Sequence, residues 1–415
     1  MAIVRLLDQT DAMEAHMEAI TGTAVGGATV FAVGALVERL ATLTDRRQAR
    51  GKRYPLTVML LLVVLAKLSG EDRPSGIADW VAHRRTALEA ALGLSWRRMP
   101  HHNTYRRVLA QAVAPEELDA VVGAFLRTLP GVGRSILVSI DGKTVRGTIT
   151  APATRGEHLL AAYLPAEGIV LMQVAAGDKE NEIRVAPALL RCLDLRGKVV
   201  TGDAMHTQRA LSAQILDAGG AYLWIAKNNQ PTLRADIATI FTADDRTVAG
   251  GRIPRDLRTA RTVDTGHGRR ETRTLTASCD LHGFSDWPGL HQVFRLERQR
   301  IHTTSGKQEQ KVVYGLTSLT PAQASPARLL ALSRAHWGIE NGRHHRRDVT
   351  FREDATRLTQ DHAGRVMASL NNLIIGVLRH AGYTNLAAAR RLCNADLLIL
   401  QSHMSARTGV IRRRR

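Results

Sequence analysis

SILVSIDGKTVRG, residues 135–147, decides the fold: six apolar or small side chains run up to Asp141, and glycine and charge follow. A short apolar run bounded by turn-forming residues predicts a buried strand. The same texture recurs in HLLAAYL at 158–164, GIVLMQVAAG at 168–177, LRGKVVTG at 195–202 and AYLWIAK at 221–227. Helical spacing intervenes in VAPALLRCLDL at 185–195 and TQRALSAQILDAG at 207–219. The order β-β-β-α-β-α-β predicts a mixed sheet flanked by helices, an α/β fold. Asp141 ends the first of these strands and Asp203 follows the fourth. Open sheets present functional groups at strand ends. If the two strands are neighbours, their carboxylates can share metal ions about 4 Å apart. A third acid, Glu340, sits in RAHWGIEN at 334–341, inside a helical pattern running from 327 to 347. Hard divalent cations such as Mg²⁺ take oxygen ligands from a few carboxylates and from substrate phosphates. One aspartate after a strand is an ordinary turn residue; two, with a helical glutamate, point to metal-assisted phosphodiester chemistry.

Charge agrees. The 415 residues carry 57 Lys+Arg against 38 Asp+Glu, a formal net charge of +19. That excess favours a polyanionic partner, either nucleic acid or an anionic membrane surface. Cys192, Cys279 and Cys393 are odd in number, far apart and without a CxxC pair. They support neither a disulfide framework nor a zinc knuckle, and a reducing cytoplasm fits them best. LTVMLLLVVLA from Leu56 is about half the ~20 residues that a spanning helix needs, so it reads as a buried core helix. Asp8, Asp11 and Glu14 stand where a secretory signal would be basic and apolar, so no secretion is expected.

Residues 1–132 read as a helical N-terminal domain. FAVGALVERLATL, the run at Leu56, SGIADWVAHRRTALEAAL and PEELDAVVGAFLRTL all carry apolar residues at helical spacing, and Pro115 with two acids starts the last of them. SWRRMPHHNTYRRVLAQAV at 95–113 predicts a short basic helix with Tyr105 interleaved, whose Arg106 and Arg107 suit DNA phosphates. From 250 to 320 the alternation in TARTVDT, RRETRTLTAS, HQVFRLERQRIHT and QKVVYGLTSL predicts antiparallel strands with turns at GHG and TSGK. They read as a β-rich insertion between the mixed sheet (133–249) and a last core segment (321–385) bearing the Glu340 helix and a second long helix ending at Gly382. Residues 386–415 read as a basic tail ending in RRRR, the kind of run that stays disordered and adds phosphate affinity.

The strand order resembles the ribonuclease H-like fold. At the acids the resemblance becomes specific, and the chain is similar to the H-repeat-associated DDE transposases of bacterial insertion sequences. The matching strings are IDGKTVRGT around Asp141, AAGDKENEI at 175–183, VVTGDAMHTQ around Asp203, AKNNQPTL at 226–233, GHGRRETR at 266–273, YGLTSL at 314–319 and HWGIEN…DVTFRED at 336–354. RGKRYPL, IADWV and NTYRRVL match ahead of them, so nearly the whole chain is covered in order. The resemblance implies a ribonuclease H-like catalytic core with Asp141, Asp203 and Glu340 as metal-binding triad. It also implies two Mg²⁺ (or Mn²⁺) ions, metal-dependent cleavage and strand transfer of the element's ends, and double-stranded DNA as partner. A homodimer on DNA in the bacterial cytoplasm follows from joining two ends, with no membrane involved. Two readings stay open beside it: a catalytically decayed DNA-binding relic, and a metal-dependent nuclease without strand transfer.

The chain departs from the family at 343–349. There RHHRRDV replaces an apolar and aromatic stretch, so Arg343, His345 and Arg347 stand where large apolar side chains would pack the helix onto the core. Around the acids, Lys143, Lys227, Arg343, Arg346 and Arg347 are candidates for the DNA path. His206, Gln208 and Asn181 are candidates for orienting the metal ligands from outside, and Lys179 and Glu182 belong to the same polar cluster as Asn181. His336 and His344 flank Glu340 at helical spacing.

Overall fold

The computed structural model describes residues 33–150, 152, 154, 156–177, 181–242, 247–248, 251–252, 256–266, 268–338 and 345–395. Helices come first: α1 (Val33–Ala41), α2 (Leu56–Leu68), α3 (Pro74–His83), α4 (Arg85–Leu92), α5 (His102–Arg107) and α6 (Pro115–Thr128). Proline opens α2's neighbour α3 and also α6, where its missing N–H is one the first turn leaves unpaired anyway. Every residue of α2 except Thr57 is buried, including Lys67, whose Nζ lies 3.0 Å from Asp72 Oδ1.

The sheet begins with β1 (Leu137–Thr144), β2 (His158–Leu164) and β3 (Ile169–Ala176), followed by α7 (Glu182–Arg191), β4 (Val199–Gly202), α8 (Arg209–Asp217), β5 (Ala221–Ala226) and α9 (Pro231–Thr242). A small hairpin, β6 (Thr247–Val248) with β7 (Gly251–Arg252), precedes β8 (Arg258–Gly266), β9 (Arg269–Ser278), β10 (Gln292–His302) and β11 (Gln308–Thr317). Strand order is β3-β2-β1-β4-β5-β11-β10-β9-β8. β1, β4 and β5 run parallel, and every other neighbouring pair in this sheet is antiparallel.

Three differences from the sequence pattern stand out. The strands expected as an insertion join the same sheet, because β11 pairs with β5 from Tyr314↔Ala226 to Thr317↔Leu223. Asp141 lies within β1, which runs on to Thr144 against β2. α10 (Pro326–His336), capped by Ser325 accepting from the Arg328 N–H at 3.4 Å, gives way to a turn at Trp337; beyond Gly338 the chain is described again from His345, with a π-helical turn at Arg346–Thr350.

The second long helix is α11 (Ala363–His380), closed past its end by Gly382 at φ 85°. Ten residues of the expected basic tail form α12 (Leu386–Ala395), because Leu386, Ala389, Arg390 and Cys393 share one helix face and bury it. The RRRR run lies outside the described residues. One apolar cluster joins α1–α6 to α11, α12, Phe351 and Ile169 of β3. A second lies between the sheet and α7, α8 and α9. A third packs α10 on the opposite sheet face, over Leu137, Val199, Leu223 and Ile225. Among the described residues no helix is long and apolar enough to cross a membrane.

Candidate active site

Side chains alternate between sheet faces along a strand. Leu137 of β1 and Val199 of β4 pack under α10, so Ser139, Asp141, Thr201 and Asp203 share that face. The parallel register ends at Ile140↔Gly202, which sets Asp141 beside Asp203 on chains about 4.8 Å apart. Beneath them, Ser139 Oγ and Thr201 Oγ1 are hydrogen-bonded at 2.9 Å, and Thr201 Oγ1 lies 3.1 Å from Nδ1 of His336, the last residue of α10. Burial pushes the His336 imidazole below its ordinary pKa, against the pull of the Asp203 and Asp141 charges; His206 and Lys227 push the same way as burial. The charged form of His336 is thus disfavoured beside the acid pair. Lys227 follows β5, two residues beyond Ile225, and is exposed.

The reverse face is built differently. Glu182, the first residue of α7, lies 2.9 Å from His158 Nε2 through Oε1 and 3.0 Å from His206 Nε2 through Oε2. His158 starts β2, and its Nδ1 lies 2.9 Å from Thr144 Oγ1 on β1. His206 closes the turn after β4, where its N–H donates to the Asp203 carbonyl at 2.8 Å. One carboxylate therefore ties together the chain segments that carry Asp141 and Asp203. Glycine at 142 makes room for it, since a Cβ there would collide with the Glu182 carboxylate and the His158 ring. Burial alone would raise the Glu182 pKa, but the two imidazole hydrogen bonds outweigh it and hold the group at about 2.

The other predicted residues divide by exposure. Arg106 and Arg107 are exposed on α5, whereas Tyr105 between His102 and Arg106 is fully buried as core. Lys143 is buried with Nζ 2.6 Å from Asp348 Oδ1, and Arg347 is buried with Nη2 2.8 Å from Glu353 Oε2. Burial and an internal carboxylate partner withdraw both from a DNA-facing role. Arg346 is half-buried, with Tyr163 and Arg379 alongside. Asn181 and Gln208 serve as helix starts: the Asn181 side chain accepts from the Arg184 N–H at 3.2 Å, and Gln208 precedes α8 with its amide donating to Met205 O at 3.0 Å. Glu340, Arg343, Lys179 and His344 lie outside the described residues. Sequence reasoning missed Ser139, Thr201 and His158. Ser139 and Thr201 each stand two residues before an aspartate, on its face of the strand, and that shared offset was the available signal. His158 gave none, because a histidine at the start of a strand reads as an exposed end.

The donor chemistry suits a hard divalent cation: two carboxylates on one face, partly exposed, at neighbouring positions. Among the described residues no third His, Cys, Asp or Glu completes a metal-binding group with them.

A family model described as the Transposase DDE domain matches residues 133–375, more than half of the chain. The chain belongs to the DDE transposase family. A companion model described as DDE_Tnp_1-associated matches residues 37–126 of this transposase. Among curated relatives, "H repeat-associated putative transposase YhhI" of Escherichia coli (strain K12) is 27% identical over 351 residues, 83% of this chain and 90% of that protein. A Xanthobacter autotrophicus protein named for the dhlA 3′ region is 31% identical over 264 residues, 61% of this chain and 85% of that protein. A piggyBac transposase synaptic complex with hairpin DNA aligns with 89% of this chain and 79% of its own at 10% identity and a TM-score of 0.39, a likeness too distant to build on.

Proposed function

We propose that this transposase cuts and rejoins the DNA ends of its own insertion element by metal-dependent phosphodiester chemistry on a ribonuclease H-like core. One observation carries the proposal: Asp141 and Asp203 end up side by side on one face, although 61 positions of chain lie between them. The strand order β3-β2-β1-β4-β5, with only β1, β4 and β5 parallel, supports the ribonuclease H-like reading. Asp141 and Asp203 would hold divalent metal, with Glu340 as third carboxylate, four residues beyond His336 in sequence. Bound there, Mg²⁺ or Mn²⁺ supplies charge neutralisation at the scissile phosphate and a more acidic water.

The protein's own groups do the rest. The Ser139–Thr201–His336 chain fixes the floor of the site, and burial of His336 disfavours a cation there that would compete with metal. Lys227 offers a point charge to a DNA phosphate, and Arg106 and Arg107 offer two more at a distance. Two copies on paired DNA ends, in the bacterial cytoplasm, complete the proposal. The chemistry is tested on duplexes carrying one end of the element: Mg²⁺-dependent nicking followed by strand joining is expected. Equal cleavage by Asp203→Ala would falsify the assignment. Hydrolysis that never proceeds to joined product favours a nuclease, and binding without nicking in Mg²⁺ or Mn²⁺ favours a relic.

A further inference from the structure

β11 passes the end of β5 at Tyr314↔Ala226 and extends six residues further back, to Gln308. The β8–β11 arm thus projects roughly 20 Å beyond the strand ends that carry the acids, at about 3.3 Å per residue. Register tells which face its side chains occupy. Gly315 of β11 pairs with Ile225, and Leu275, Ala277 and Phe294 pack under α10, so this arm face is the Asp141–Asp203 face. Following the alternation outward, Leu296, Arg298 and Arg300 on β10 stand against Leu275, Arg273 and Glu271 on β9, and Arg298 also pairs with Lys311 on β11.

These cations crowd one buried acid. Glu271 Oε1 is 2.9 Å from Arg273 Nη2 and 3.6 Å from Arg298 Nε, and its Oε2 is 3.4 Å from Arg300 Nε. Asp264 lies 2.8 Å from both Arg273 Nη1 and Arg334 Nη1, the latter on α10 two residues before His336. Lys311 is exposed beside them. With Glu309 opposite Arg300, three carboxylates share this face with six cations, Arg269 among them; burial first, and then neighbouring Arg300, Arg273 and Arg269, push Arg298 below its ordinary pKa despite Glu271. Such a crowd is relieved by an anion with several separated charges, which is what a DNA strand presents.

We propose that Arg273, Arg298, Arg300 and Lys311 form a phosphate platform on the sheet extension, carrying the duplex that leads away from the scissile phosphate at Asp141 and Asp203. The inference rests on the proposed DNA chemistry for that acid pair. Two to four strand spacings across and four to six residues along place the row roughly 15–25 Å from Asp203. At 3.4 Å per base pair, DNA must continue about five to seven base pairs past the cleavage point to reach it.

The test uses the full chain and fluorescent duplexes spanning one end of the element, shortened one base pair at a time from either side. Wild type is expected to lose affinity in a step when one side falls below about five to seven base pairs. Lys311→Gln and Arg298→Gln should weaken binding to long duplexes and lower the slope of log K against log salt by about 0.9 for each phosphate that is no longer neutralised. They should also erase the length step. Unchanged slope and length dependence in both variants overturns the platform. Lys311→Gln leaves Glu271 and its arginines in place, so it remains informative if Arg298→Gln unfolds. Asp203→Asn run in parallel separates the two ideas: cleavage by that variant sinks the active-site reading, while an intact slope change still supports the platform.

Discussion

Arg347 and Glu353 are both buried and meet twice, Nη2 to Oε2 at 2.8 Å and Nε to both carboxylate oxygens at 2.9 Å, with Asn371 Nδ2 adding a third donor at 2.9 Å. Arg347 stands where the family pattern carries a large apolar side chain, and Glu353 neutralises it. At Arg347 the departure is compensated within the segment.

Restoring an apolar residue alone should therefore do harm. Arg347→Leu leaves Glu353 buried without its cation, at an expected cost of about 3–5 kcal/mol. Arg347→Leu/Glu353→Leu should recover most of it, since apolar replacement of a whole buried pair is often neutral. Urea unfolding of the two variants decides this; a double variant as unstable as the single one overturns the pairing.

Asp141 and Asp203 repel each other across neighbouring strands. Without metal, Asp203→Asn should raise stability by roughly 0.5–1 kcal/mol, the scale of a like-charge cross-strand pair. Added Mg²⁺ should raise the wild-type melting temperature and leave the variant unmoved. Cleavage should fall by about a thousandfold or more, equivalent to several kcal/mol of lost charge stabilisation. Thermal melts with and without Mg²⁺, beside a nicking assay, read all three.

The Glu182 bridge predicts a pH signature. Its folded pKa of about 2 lies below the ordinary 4.5, so its stabilisation is complete above about pH 5 and fades as pH falls through 4.5 towards 2. Glu182→Ala should cost about 2–4 kcal/mol at pH 7 by stranding two imidazole nitrogens. The gap between wild type and Glu182→Gln should narrow on acidification across that window. A gap constant from pH 7 to pH 3 contradicts the bridge.

Asp119 carries the opposite sign. Burial lifts its carboxyl to about 7, although Ser369, Arg365 and Gln173 hydrogen-bond it and pull down. The folded chain keeps this proton where the unfolded chain has lost it, so stability falls as pH rises from about 4 to 7 and levels above. The slope is at most about 1.4 kcal/mol per pH unit. Asp119→Asn should flatten that part of the profile, measured as urea midpoints between pH 5 and 8.

Local pattern carried the strands and the acid positions, because alternation and apolar runs are written in consecutive residues. Register was not legible in them. The sequence left open whether β1 and β4 are neighbours, and it read the β8–β11 strands as an inserted unit, since the β5–β11 pairing joins residues nearly ninety positions apart and no local signal encodes it. Lys143 and Arg347 were misread for a related reason. A basic side chain looks exposed until its partner is known, and Asp348 and Glu353 became partners only through the turns at 346–355. The Glu182 bridge needed three separate segments to converge.

The apolar cluster shared by α1–α6, α11 and α12 bears on how the protein is made. α2 is synthesised about three hundred residues before α11 and α12, the helices that finish covering it. Until they are made, that apolar surface lacks its full cover and is prone to aggregate. A frameshift ahead of α11 should therefore yield an aggregating or rapidly degraded product, not a stable fragment able to compete with the intact transposase.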